Sequence, residues 1–446
     1  MKNGWVGLAF VGLLACSSSE SGTPAAAADA GTNTAPTGTP LTVWIYATPI
    51  KAGDPLTPIA GAIVAFDPPG GGERIEVTSE ADGRATANMD FSKGTAVVSV
   101  TAPDRIVVTT LDVSPETNKE LFPNPLGKPN TDIVIALGPN AKANTDRSVE
   151  ISGKLTNKAD PGNIIGIQST GTFYQYGFPA DTYAARVPKG IPFSLMCYEA
   201  TPLDAPPPRT SGAAALRLFR VDHAAVDTNT PLDIDVTQGT LQTTTVHWKI
   251  ELPGGDAGPL GGTSQAFANI LSFDSYAAVG FFRLITPTAD KNGFDVEEMI
   301  AQTDIAPEIA RTAVTIRATD GGASQLEKLG NAPDGTVFKD FMVPPAVAVT
   351  KQTRADAFAM DGLPPEAESV QIQLLSGSDP EWIVLGHPKK KPTGPIKLPL
   401  PPSTAKLSAT LKAQVVALAS PAEIPGRQGF YMFEKLSISR PITVTK

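Results

Sequence analysis

The chain has little of what most catalytic and metal chemistry requires. Its 446 residues include two cysteines and three histidines. Two cysteines cannot build a disulfide framework. His223, His247 and His387 have no second histidine or cysteine at ligand spacing, which argues against a zinc site. No G-x-S-x-G, H-E-x-x-H, phosphate-loop or C-x-x-C pattern occurs. Cationic residues are outnumbered, with 36 Lys and Arg against 45 Asp and Glu. Such an acidic body disfavours nucleic acid and anionic lipid surfaces as partners. Beyond the N-terminus, no apolar run approaches the length needed to cross a bilayer. No catalytic residue, metal or cofactor is assigned on these grounds.

The first residues carry the clearest address. Lys2 supplies a small positive region, and Gly4 to Ala15 form an uncharged apolar run. It is too short for a mature transmembrane helix but suits a cleavable signal. It ends in Leu13-Leu14-Ala15-Cys16, which resembles the lipobox of bacterial lipoproteins. That resemblance implies a signal peptide over 1–15, cleavage before Cys16, and acyl chains such as palmitate on its thiol. Membrane attachment through this lipid would then be the only one visible in the sequence. Ser17 in the second mature position resembles the sorting pattern for the outer membrane. Loss of Lys2 with the signal would take the formal charge from −9 to −10. Residues 16–40 are rich in Ser, Ala, Gly, Thr and Pro without apolar periodicity. They read as a disordered tether.

The body behind this tether reads as all-β. The chain holds 40 glycines and 42 prolines, about 18% of residues against a usual ~12%, yet 41% of it is apolar. Many turns joining short apolar strands satisfies both numbers. At this length several domains are expected. The patterning divides the body into 41–140, 147–240, 244–350 and 354–446, tandem modules of immunoglobulin-like size. In 41–140, strands are expected at 41–46, 63–66, 75–78, 96–101, 106–111 and 133–137. Trp44 and Tyr46 share one face of the first.

Three segments of this module resemble a known family. They are Gly61-Ala62-Ile63-Val64-Ala65, Thr78-Ser79-Glu80-Ala81-Asp82-Gly83-Arg84-Ala85 and Lys93-Gly94-Thr95-Ala96-Val97-Val98. Their pattern is similar to that of carboxypeptidase regulatory-like (transthyretin-like) domains, except that the family's usual opening strand is not cleanly matched. The resemblance implies a non-catalytic β-sandwich accessory and carries over no active-site residue. Ile151-Ser152-Gly153 resembles that family's opening strand. Lys189-Gly190 stands 96 positions after Lys93-Gly94, hinting at tandem copies.

Later in the chain, 232–236 alternates as one strand, and 278–285 looks buried. Apolar residues at 296, 299 and 300 suggest a short helix within 296–311, limited by Pro307. In the last module, strands are expected at 370–374, 382–385, 413–418 and 438–444. Cys197, in an apolar strand-like run, reads as a buried inert thiol.

Few residues offer chemistry. Asp290, Asn292 and Asp295, with Glu297 and Glu298 behind them, form an oxygen-rich loop that would suit calcium. The EF-hand spacing is not met, and Asn292-Gly293 already reads as a hairpin turn. Asp233 and Asp235 share a strand face, where glycosidase carboxylates would have to flank a cleft. His247 beside Trp248 reads as a strand residue. Gly70-Gly71-Gly72 and Lys389-Lys390-Lys391 read as a turn and a solvated loop. Three roles remain open: recognition of a glycan or envelope protein through exposed aromatics (Trp44, Tyr174, Tyr176, Tyr183), a scaffold in an outer-membrane complex, and a hydrolase whose carboxylates converge only in the fold.

Overall fold

The computed structural model describes residues 38–48, 56–120, 127–169, 174–178, 181–202, 213–255, 258, 265–272, 278–302, 310–318, 322–349, 357–387, 396–423 and 431–445. Among them strands predominate. Helix is confined to Pro115–Glu120, Ala141–Asp146 and a 3₁₀ turn at Phe91–Lys93. The protein is all-β and built of open sheets.

One strand order recurs along the chain. In the first unit, Thr39–Ala47 pairs antiparallel with Arg84–Met89 and parallel with Ile133–Leu137. The facing sheet runs Ile75–Thr78, Ile63–Asp67, Ala96–Thr101, Val107–Val113. In the second unit, Ser148–Thr156 pairs antiparallel with Thr182–Pro188 and parallel with Thr230–Pro231 and Ile234–Asp235. Its facing sheet runs Tyr174–Phe178, Ile164–Ser169, Phe193–Pro202, Ala213–His223. The third repeats this with Thr243–Glu251, Gly293–Ala301 and Val337–Phe338. Its other layer runs Ala278–Pro287, Gln265–Ser272, Ala310–Arg317, Ala323–Leu329. Here Ala278–Pro287 also pairs with Gly293–Ala301, so the two layers join. The fourth orders Asp379–Leu385, Ser369–Ser376, Thr410–Glu423, Tyr431–Ile438, opposite Ala346–Val349, Ala357–Gly362 and Ile396–Lys397. Its last strand, Ile442–Thr445, departs from the pattern by pairing with Thr410–Glu423.

Alternation drives each layer. Leu41, Val43 and Ile45 are fully buried on one face of the first strand, and Val98 and Val100 meet them from the opposite sheet. The Asp82-Gly83 turn is fixed by geometry that only glycine tolerates. Gly83 has φ +81°, and a Cβ there would lie 2.4 Å from the Ile45 carbonyl oxygen. Ile45 N–H donates to Gly83 O at 2.9 Å, and Arg84 N–H to Asp82 Oδ1 at 3.0 Å.

The units are joined by more than linkers. Val107–Thr110 pairs parallel with Trp382–Leu385, so the first and fourth units share a sheet. Each contributes to the other's core: Ile383 belongs to the first cluster and Val107 to the fourth. The fully buried Trp382 donates from Nε1 to Thr109 Oγ1 at 2.9 Å, and Thr109 bonds the Ser99 hydroxyl at 2.8 Å. Beside this seam Arg74 grips Asp67 through two bonds of 2.6 and 2.7 Å, and donates to the carbonyls of Leu400 and Pro401. Glu76 accepts from Ser403 N–H at 2.8 Å. Ala323–Leu326 pairs antiparallel with Lys435–Ile438, joining the third unit to the fourth. Leu218, Met299 and Ala301, with Tyr198 and Leu241, pack the second unit on the third. The helix Ala141–Asp146, N-capped by Asn140, links the first to the second.

Several expectations are corrected. No helix occupies 296–301: Gly293–Ala301 is a strand paired on both sides. Its apolar residues suggested helical spacing because both faces are buried. Phe294, Val296 and Ile300 enter the third core while Met299 meets the second unit. Positions 303–309 of that expected helix lie outside the described residues. The alternating run 232–236 is not one strand, because Asp233 turns aside to accept from Lys154 N–H at 2.7 Å. The closing run 438–444 breaks at Ser439, whose hydroxyl accepts from Val415 N–H at 3.0 Å.

Candidate functional site

Cys16, the signal and most of the tether lie outside the described residues, as do Lys389-Lys390-Lys391. Cys197 is a fully buried free thiol on Phe193–Pro202, opposite Ile167 and Phe219. Burial disfavours the thiolate and pushes its pKa up.

The oxygen-rich loop is a hairpin whose polar atoms serve the turn. Asp290 Oδ1 accepts from Thr288 Oγ1 at 2.6 Å and Asn292 N–H at 3.1 Å, while Oδ2 accepts from Asn292 Nδ2 at 3.2 Å. These bonds hold the Asp290 carboxylate below its usual pKa, the Thr288 bond contributing most. Lys291 takes the left-handed conformation at φ +58°. Asp295 belongs to the next strand, opposite Lys249. Among the described residues no group of three or more His, Cys, Asp or Glu is placed to hold a metal ion.

The other acidic pair is also engaged locally. Asp235 Oδ1 accepts from Thr237 N–H and Oγ1 at 2.9 and 2.6 Å, which lowers its pKa. His247 Nδ1 and its own N–H both approach Asp334 Oδ1, at 3.2 and 2.6 Å. His223 stacks on Phe193 with centroids 5.3 Å apart. His387 is buried with Nε2 3.3 Å from Thr117 O.

The aromatic candidates do not form one platform. Tyr183 is buried in the second core and donates to Leu232 O at 2.6 Å. Tyr46 is buried too, although it shares a face with Trp44. Trp44 is partly exposed, but Lys128 Nζ lies 3.6 Å over its ring and its Nε1 donates to Asp132 Oδ2 at 2.9 Å. The side chains of Tyr174 and Tyr176 lie outside the described residues.

Three buried acids matter more than their sequence context suggests. Glu199 accepts from Ala159 N–H and Asn163 Nδ2, each at 2.7 Å, and is met by the Arg217 guanidinium. Together with Lys158, which bonds Pro161 O at 2.8 Å and Asp181 at 2.9 Å, it folds the loop 157–163. Glu327 pairs with Arg311 at 2.9 Å and accepts from Gln325. Glu298 is the exception: it is fully buried, and neither carboxylate oxygen has a hydrogen-bond partner among the described residues. Burial pushes its pKa well up. Its signal in the sequence was position, third in the alternation Phe294, Val296, Glu298, Ile300.

A cleft of about 370 Å³ opens where the third unit meets the fourth. Leu252, Pro253 and Phe341 line it with Glu251, Asp340, Glu366, Lys339 and Lys435. Asp340 sits there at φ +63°. Charges of both signs over an apolar floor could hold a polar ligand by ion pairs.

No family profile matches the chain, and no curated protein matches it. Solved structures that show a likeness include two. One is the Bacillus anthracis TIE protein, at 10% identity and a TM-score of 0.16, covering 67% of this chain and 49% of that one. The other comes from work on host cell surface retention of a 1.5-MDa bacterial ice-binding adhesin. It shows 11% identity and a TM-score of 0.10, covering 68% of this chain and all of that one. The chain spans about half the length of the Bacillus anthracis protein. Likeness at these scores carries no functional information.

Proposed function

We propose that the chain is a non-catalytic, lipid-anchored envelope protein that acts by binding a partner on a closed set of β-sandwiches. The observation that carries this reading is the closure itself. Strand pairing fixes the first unit to the fourth and the fourth to the third, and apolar packing fixes the third to the second. Such an arrangement holds loops of different units at set distances, which suits recognition by several points at once. It suits spacing less, because the first and last units lie side by side rather than at opposite ends. The anchor rests on Leu13 to Cys16, with outer-membrane placement resting on Ser17. A stable hold needs more than one acyl chain on that cysteine.

A hydrolase reading keeps one observation in its favour, the cleft that gathers Glu251, Asp340 and Glu366. The test uses detergent-solubilised membranes. Native chain should fractionate with membranes and capture a defined envelope protein or glycan, and Cys16→Ala should be released into the soluble fraction. Cys16→Ala remaining detergent-dependent would remove the anchor. Turnover of envelope polysaccharide or peptide by the native chain, lost in Glu366→Gln, would replace the binding role by the hydrolytic one.

A further inference from the structure

The strand Gly293–Ala301 has two faces with different tasks. On one, Glu298 stands between Val296 and Ile300 inside the third core, opposite Val246 on the neighbouring strand. On the other, Met299 and Ala301 press against Leu218 of the second unit. A carboxylic acid in an apolar core is tolerated only while it carries its proton, because the ionised form has lost water and gained nothing in exchange.

The described surroundings offer no compensation. On its own strand, Asp295 and Glu297 alternate to the opposite face from Glu298. On Thr243–Glu251, His247, Lys249 and Glu251 lie on the face away from Val246. Ala278–Pro287 carries one charged residue in its sequence, Arg283, at the register shift after Phe282, and the side chains of 278–284 lie outside the described residues. Gln265–Ser272 carries none. On Ala310–Arg317, Val314 and Ile316 face the core, and the end residues Arg311 and Arg317 alternate away from it. On Ala323–Leu329, Glu327 faces Arg311, and Lys328 shares the Leu326 face but sits 5.0 Å over the Phe338 ring. Asp334 is engaged by His247.

We propose that Glu298 makes the contact between the second and third units sensitive to pH, closed while its carboxyl is neutral and opened when that carboxyl ionises. Its protonated form favours folding, so this contribution is complete below the unfolded carboxyl range. It is lost as pH rises toward the raised folded value. Each pH unit in that window favours the open, ionised form by about tenfold. Opening would bare Leu218 and Met299 together, an apolar surface that the closed form hides.

The test measures hydrogen exchange of the full chain from about pH 5 to about pH 9, after correction for intrinsic exchange. Strands of the first unit serve as the internal reference. Residues 293–301 and 216–220 should lose protection together as pH rises, while 96–101 does not. In Glu298→Gln that pH dependence should vanish, and Glu298→Met provides a second variant if the amide impairs folding. Equal pH profiles for native chain and variant would overturn the proposal. So would flat protection of 293–301 in the native chain, or loss at 293–301 without loss at 216–220.

Discussion

Replacing Trp382 by Ala tests whether the first and fourth units are one cooperative body. The indole is fully buried in the fourth core and donates to Thr109 of the first unit. Truncating a buried aromatic costs about 3–5 kcal/mol in lost burial and residual cavity. The lost bond adds about 1 kcal/mol, because Thr109 keeps Ser99 as a partner. The neighbouring Ile383 is a member of the first core, so a slackened strand Asp379–Leu385 withdraws apolar surface there too. For a cooperative body of about 200 residues, a loss of this size lowers Tm by on the order of 10 °C. Hydrogen exchange resolved by segment shows where it goes. Protection should fall at 369–376 and 410–418, and equally at 63–67 and 96–101 across the seam. Loss confined to the fourth unit, with the first unchanged, would refute shared cooperativity. For the same reason 41–140 expressed alone should be less stable than within the chain, since it lacks Ile383 and leaves Val107–Thr110 unpaired on one edge.

Other outcomes rest on single contacts. Gly83→Ala should destabilise the first unit by about 2–4 kcal/mol, read by denaturant titration, because a left-handed Ala must also push the Ile45 carbonyl away. Cys197 should stay unmodified by maleimide in native protein at any pH where the fold holds, and react on denaturation; burial raises its pKa, so alkaline pH does not activate it short of unfolding. Rapid native labelling would contradict its burial. Calcium should leave the melting temperature of the chain unchanged, while Asp290→Ala lowers it by about 1 kcal/mol equivalent through loss of the hairpin bonds. A calcium-dependent rise that Asp290→Ala abolishes would restore the loop as a metal site.

Local sequence spoke plainly where one neighbour decides the outcome. Asp82-Gly83 is a turn because its backbone demands it, and Leu41, Val43 and Ile45 alternate because one face meets a core. The same rule misled at 296–301, where burial on both faces imitates helical spacing. It misled again at 232–236, where Asp233 leaves the strand to bond Lys154 N–H. Candidate chemistry was harder to judge. Asp290 and Asn292 carry the oxygens that a metal would want, and only the bonds that Asp290 accepts from Thr288 and Asn292 show how the turn uses them. Tyr183 is one more tyrosine until its hydroxyl donates a hydrogen bond to Leu232 O.

By itself the sequence determined an all-β chain of short strands and tight turns, since alternation, glycine and proline act over a few residues. It also marked Lys93-Gly94 and Lys189-Gly190, each ahead of the third strand of its facing sheet, Ala96–Thr101 and Phe193–Pro202. Tertiary structure alone decided that one strand order runs through the first three units and, altered at its last strand, the fourth, that Trp382 reaches Thr109 across 273 positions, and that Glu298 lies in a core without a partner among the described residues. Pairing between strand edges depends on backbone groups that every residue carries. The sequence therefore holds no local mark of which edges will meet, or of which side chain will be sealed between them.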